Sequence, residues 1–227
     1  MSQRGLCGLE KKVPNLKHSS HIGDNSKCAV IVAHPDDETL WAGGLMLMHP
    51  GVKWTVATIC RKSDADRAPK FFKALEEFGA VGYMGDLDDG PEQNALDNGE
   101  IQRTIMELLP LDRFEVIITH STAGEYTRHL RHEETAKAVM RLLESGELSA
   151  REAWSFAYED GDRKYLPRAE SGADLQIDLP EHIWQKKYDI ITKIYGFSED
   201  SFEAKTTPRR EAFWRFRSVG KRQGKGL

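Results

Sequence analysis

No stretch of this 227-residue chain stays apolar over the about eighteen residues that a membrane-spanning helix needs, so a span is excluded. Residues 1–26 are polar and lack the apolar core of a secretion signal, and are expected to form a loose arm. Cysteine is scarce. The three present, Cys7, Cys28 and Cys60, are odd in number and widely spaced, which argues against a disulfide framework. Cys28 and Cys60 lie in apolar runs and read as buried thiols, consistent with a reducing, cytoplasmic setting. A basic excess is also missing. The net charge is −4 with both signs interspersed, so no electrostatic footprint for nucleic acid exists. Internal repeats and low-complexity tracts are absent. What remains is the length of one α/β domain, placed at residues 27–220, followed by a basic tail at 221–227 expected to be disordered.

Within that domain, strand and helix signals alternate. Apolar runs at 28–33, 54–60, 80–84 and 114–119 read as buried strands. Helical patterns lie between and after them at 39–48, 69–78, 101–109 and 129–143. The helix at 69–78 offers Phe71, Phe72 and Leu75 as its apolar side. Such βα alternation predicts a single α/β domain with a Rossmann-like, mostly parallel sheet and helices on both faces. The last third changes character, with strands expected at 153–158 and 175–179 and a helix at 180–195 begun by Pro180 at its first position.

The chemistry concentrates where the first strand ends, at Ala33-His34-Pro35-Asp36-Asp37-Glu38. One acid there would read as a helix cap. Three carboxylates crowded together repel one another unless a cation offsets them. His34 and Asp37 are three residues apart and can be aimed at one point by a single turn, leaving Asp36 beside that point. Two ligands and a spare base are what a hydrolytic metal site needs. A second cluster, His129-Leu130-Arg131-His132, opens the helix after the strand at 114–119. Its histidines share a helix face. The neighbouring Arg128 and Arg131 disfavour imidazolium, keeping both rings fit to ligate or polarise. Glu125 and Tyr126 precede them in the loop expected to border the site, where a tyrosine either donates to an oxyanion or is an ordinary surface aromatic.

Together, these two motifs resemble the LmbE/PIG-L family of zinc-dependent N-acetylglucosamine deacetylases, over roughly residues 28–143. Carried over by position, the resemblance implies His34, Asp37 and His132 as metal ligands, Asp36 as general base and His129 as the oxyanion stabiliser. Arg67 and Asp89 occupy positions comparable to the family's substrate contacts, while Arg67 equally suits a surface pair with Asp64 or Asp66 and Asp89 an ordinary Asp-Gly turn. The implied cofactor is Zn²⁺, with Fe²⁺ equally suited to a His₂Asp set. The implied partner is a small-molecule amino-sugar conjugate. In such a site a zinc-bound water, deprotonated by Asp36, attacks the N-acetyl carbonyl. Three departures bear on the substrate. The loop Cys60-Arg-Lys-Ser-Asp-Ala-Asp-Arg67 is charged and lacks the glycine common in relatives. Leu130 and Arg131 stand between the histidines where Pro-Asp is frequent, and Tyr126 lies three residues before His129 rather than two.

Segment 184–214 is rich in aromatics and either roofs the pocket or packs in the core or a homo-oligomer contact; self-association is left open. Two rival functions are a Mg²⁺ or Mn²⁺ phosphoesterase built on the three carboxylates, and a carbohydrate-binding protein without turnover. Three histidines count against the first, and an intact Asp36 against the second.

Overall fold

The run Cys28–Val32 is apolar at every position because both of its faces are covered. In the computed structural model, which describes residues 22–110, 112–126 and 129–217, it belongs to the central strand β1 (Lys27–Val32). Cys28, Val30 and Val32 join one apolar cluster with Trp41 and Leu45, while Ala29 and Ile31 join another with Ile101, Ile105 and Val139. The expected tail and most of the expected arm lie outside the described residues, as do Cys7 and Arg128. Ile22, near the end of that arm, is buried in the first cluster.

The elements follow the sequence order α1 (Asp37–Met48), β2 (Lys53–Cys60), α2 (Arg67–Phe78), β3 (Val81–Leu87), α3 (Asn98–Leu108), β4 (Arg113–Thr119), α4 (Leu130–Ser145) and β5 (Ser149–Phe156). Two short strands, β6 (Tyr158–Glu159) and β7 (Arg168–Ala169), form a separate ribbon. β8 (Leu175–Asp178), α5 (Glu181–Asp189), α6 (Phe202–Thr206) and β9 (Arg210–Arg217) complete the chain. The main sheet has seven strands in the order β3-β2-β1-β4-β5-β9-β8. β1 to β5 pair in parallel, and β9 and β8 add an antiparallel edge. The chain steps outward from β1 to β3 and then crosses to β4 on the other side. The crevice beyond the carboxyl ends of β1 and β4 is therefore the topological switch point, where open α/β sheets bind ligands.

Three local expectations change. The helix expected at 180–195 is instead α5 with Pro180 as its cap residue at ψ 146°, followed by a π-helical turn, Ile190–Ile194. Pro180 is extended, so it precedes the first turn rather than opening it. β9 was hidden by its aromatics, which alternate with charged residues in Arg-Glu-Ala-Phe-Trp-Arg-Phe-Arg. Phe72 lies on the solvent side of α2 at 47% exposure, whereas Phe71 and Leu75 are buried. Cys28 and Cys60 are buried free thiols, and burial pushes both up to about 12. Among the described residues no helix is long and apolar enough to cross a membrane.

Candidate metal centre

β1 ends at Val32 and α1 begins at Asp37, leaving four residues to reverse the chain. Asp36 takes φ 113°, a left-handed backbone that costs a non-glycine residue of order 1–3 kcal/mol. Glu38 holds it there. The buried Glu38 carboxylate accepts the Asp36 N–H at 3.0 Å, the Thr39 hydroxyl at 2.6 Å and the Tyr195 hydroxyl at 2.7 Å. Burial pushes the Glu38 carboxyl up against the pull of those hydroxyls. Because its oxygens are engaged inside the fold, Glu38 does not face the pocket.

The elbow turns Asp37 inward. Its Oδ2 accepts the His34 N–H at 3.0 Å and stands 3.1 Å from His34 Nδ1. From the first turn of α4, His132 Nε2 comes within 3.3 Å of that oxygen and 3.3 Å of His34 Nδ1. Three atoms that can bear lone pairs thus form a nearly equilateral triangle. Ligands about 2.0–2.1 Å from a tetrahedral zinc stand roughly 3.3–3.4 Å apart, so these residues fit the group.

Carboxylates behind the histidines determine which ring nitrogen faces the triangle. Glu125 Oε2 accepts from His132 Nδ1 at 2.8 Å, and Asp89 Oδ1 accepts from His34 Nε2 at 3.1 Å. An ionised carboxylate only accepts. With a cation at the triangle, His132 would keep its proton on Nδ1 and His34 on Nε2, turning Nε2 of one and Nδ1 of the other toward the ion. Outer-shell carboxylates of this kind fix ligand tautomers at metal sites. Burial opposes ionisation of Asp37, yet His132 and His120 beside it hold its carboxyl well below the usual range. Glu125 is held at about 2 by His120 and His132 despite its own burial.

His120 was not singled out by its sequence. Fully buried, it stacks on His132 at a ring distance of 3.9 Å, donates toward Glu125 (3.1 Å) and accepts the Ala33 N–H at Nε2 (2.9 Å). It bridges the carboxyl ends of β1 and β4. The available signal was positional: His120 follows its strand directly, on the neighbour of the strand that leads to His34.

The other expected residues converge on one cavity of about 190 Å³ lined by Asp36, Arg67, Asp89, Tyr126 and His129, with Arg61, Phe202 and Glu203 added by the structure. Asp36 lies outside the triangle. Arg67, rather than pairing with Asp64 or Asp66, donates to Asp36 Oδ2 at 3.0 Å and lies 4.4 Å above the Phe197 ring. Burial and the adjacent Asp37 push the Asp36 carboxyl well up, against Arg67. His129 stacks on His132 at 4.3 Å, and its buried Nδ1 has no partner among the described residues. Burial, then His132 and His34, lower His129 to about 4, so its ring is neutral at pH 7. Arg131 is not the cause, since it points away and donates to the Asp88 carbonyl at 2.7 Å. Burial pushes the Tyr126 hydroxyl far up, keeping it a donor.

A family model described as PIG-L, GlcNAc-PI de-N-acetylase, matches residues 29–143, which hold both histidine motifs. The chain belongs to the PIG-L family. Solved structures with the same fold include N,N′-diacetylchitobiose deacetylase from Pyrococcus horikoshii, with a TM-score of 0.65, 14% identity, and coverage of 86% of this chain and 85% of that one. A zinc-inhibited form of teicoplanin deacetylase gives 0.60 at 13% identity, covering 86% and 99%. The 4-carboxy-2-hydroxymuconate hydratase of Pseudomonas putida gives 0.57 at 15%, covering 89% and 99%. At such identities the likeness is one of fold, and a hydratase among the neighbours shows that the fold alone does not choose the reaction.

Proposed function

We propose that this PIG-L family protein is a metal-dependent N-deacetylase that removes an acetyl group from an N-acetylglucosamine-type sugar conjugate. The observation that carries the reading is the triangle of His34 Nδ1, Asp37 Oδ2 and His132 Nε2, with edges of 3.1, 3.3 and 3.3 Å. Two imidazole nitrogens and a carboxylate oxygen converging this closely in a buried site are a donor set that a cation would fill. A Zn²⁺ or Fe²⁺ ion held there supplies Lewis acidity and a water made acidic enough to attack at neutral pH. The nitrogen-rich donor set disfavours Mg²⁺, and Glu38, turned into the fold, removes a carboxylate that the phosphoesterase alternative would require.

The side chains divide the remaining work. Asp36, close to the triangle but outside it, serves as general base and takes the proton of the attacking water. Its raised affinity for a proton suits a group that must hold one and return it to the leaving amine. The neutral His129 donates to the carbonyl oxygen as charge develops there, as an oxyanion-hole donor does. Tyr126 and Arg67, which line the same cavity, are the residues assigned to the sugar. The cavity, at about 190 Å³, is smaller than the roughly 300–1,000 Å³ of pockets that enclose whole ligands. That size favours end-on entry of a terminal sugar with its conjugate outside. The deacetylase neighbours from Pyrococcus horikoshii and the teicoplanin pathway support the same reading.

The test is acetate release from a panel of N-acetylated amino sugars by metal-loaded protein. Turnover that vanishes in D36A while the variant keeps its metal is expected. Turnover that persists in D36A contradicts the assignment of the base, and metal-loaded protein inert toward every amide in the panel favours the binding-protein alternative.

A further inference from the structure

Asp89 occupies a position that the family resemblance assigns to sugar binding, yet its side chain is fully engaged by protein. It lies in the loop between β3 and α3 with 8% of its side chain exposed. Oδ1 accepts from His34 Nε2 at 3.1 Å and from Gln93 Nε2 at 3.1 Å. Oδ2 accepts from Arg61 Nε at 2.9 Å and Nη2 at 2.6 Å. A carboxylate has about four acceptor sites, and protein donors use all of them. A sugar hydroxyl could bind Asp89 only by displacing one of these donors.

We infer that Asp89 is a positioning residue of the metal centre, orienting His34 rather than gripping the substrate. The inference rests on the metal-site reading above. Two further features are arranged around this contact. Arg61 adopts φ 72°, the left-handed region that favours glycine, and in that conformation its guanidinium forks onto Asp89. The fully buried Arg131 reaches from between His129 and His132 to the Asp88 and Asn94 carbonyls, and the Glu134 beside it accepts the Leu96 N–H at 3.0 Å. Two departures from the family pattern, the charged glycine-free loop that carries Arg61 and the arginine between the histidines, thus both act on the loop that carries Asp89. With Asp89 seated, His34 Nε2 is held against its carboxylate and Nδ1 faces Asp37 and His132. With Asp89 removed, the ring is free to rotate or to exchange tautomers, and one corner of the triangle is lost.

The experiment is a titration with Zn²⁺ alone against a competing chromophoric chelator, on wild-type protein, D89A and D89N. D89A is expected to bind zinc 10- to 100-fold more weakly, the range for loss of an outer-shell partner. The near-isosteric D89N, whose amide oxygen still accepts from Nε2, is expected to fall between D89A and wild type and keeps the test valid if D89A folds poorly. At saturating zinc, KM for an N-acetylated amino sugar is expected to stay within about twofold of wild type in D89N, because uniform substrate binding is untouched. Wild-type zinc affinity in both variants together with a raised KM would make Asp89 a substrate contact and overturn the inference. Failure of the wild type itself to bind zinc would overturn the metal-site reading instead.

Discussion

The parallel part of the sheet and the antiparallel part beyond β5 do different work. The first carries the groups proposed to react, on the ends of β1 and β4 and the first turns of α1 and α4. The second, residues 175–217, contributes no ligand to the triangle but supports it at several points. Tyr195 fixes Glu38, and through it the backbone of Asp36. Phe197 underlies the Arg67 that contacts the Asp36 carboxylate. Glu211 on β9 accepts the Gly44 and Leu45 N–H groups within α1 at 2.7 Å each, and the buried Lys187 ammonium at 2.6 Å. A carboxylate entering a helix ladder in this way needs a close approach, and a Cβ at Gly44 would overlap Leu179 and Glu211. The proposed chemistry thus resides in the parallel wind, and its support in the brace formed by residues 175–217.

Substitutions can break this division, and the largest effect is expected in the reacting part. D36A should lose about 10²- to 10⁴-fold in turnover with its metal retained, measured as acetate release beside elemental analysis. The next effect belongs to the brace. E211A leaves the buried Lys187 amine and the Gly44 and Leu45 N–H groups without their partner, and should cost about 3–5 kcal/mol in urea unfolding; a loss no larger than that of a surface substitution would remove Glu211 from the brace. Y195F deletes one hydrogen bond to Glu38, for about 1–2 kcal/mol, and should lower kcat without weakening zinc binding. Weakened zinc binding in Y195F would show that the two parts are not separable.

The smallest effect is a pH dependence at the seam. Glu152 on β5 is desolvated, but hydrogen bonds from Trp154 and from Arg215 on β9 outweigh burial and lower its pKa. A carboxyl whose folded pKa lies below its unfolded one contributes stability above the unfolded value, about 4.3, and loses it as pH falls toward the folded value. E152Q should therefore be less stable than wild type at neutral pH, with the two stability curves converging below about pH 4. Parallel curves across that range would show that the seam contributes no such linkage.

The parts of this arrangement legible in the sequence are those encoded locally. His34, Asp36 and Asp37 are close in the chain, His129 and His132 share one helix face, and the apolar strands alternate with amphipathic helices in the observed order. The less legible parts depend on chain reversals. His120 gains its role only because β4 lies beside β1, and Glu38 reads as a third acid of the motif until Tyr195, 157 positions away, is placed against it. Arg61 carries no sign in its sequence of the left-handed backbone that aims it at Asp89. β9 was obscured because the aromatics of segment 184–214 divide their roles. Phe213 is core, Tyr195 braces Glu38, and Phe202 lines the pocket.

The central claim is that His34, Asp37 and His132 hold a metal ion, and the direct measurement is elemental mass spectrometry of protein purified without chelator or nickel resin, before and after incubation with Zn²⁺. About one zinc or iron per chain, abolished in H132A, is the predicted result. Protein that emerges without metal and takes up none would contradict the account.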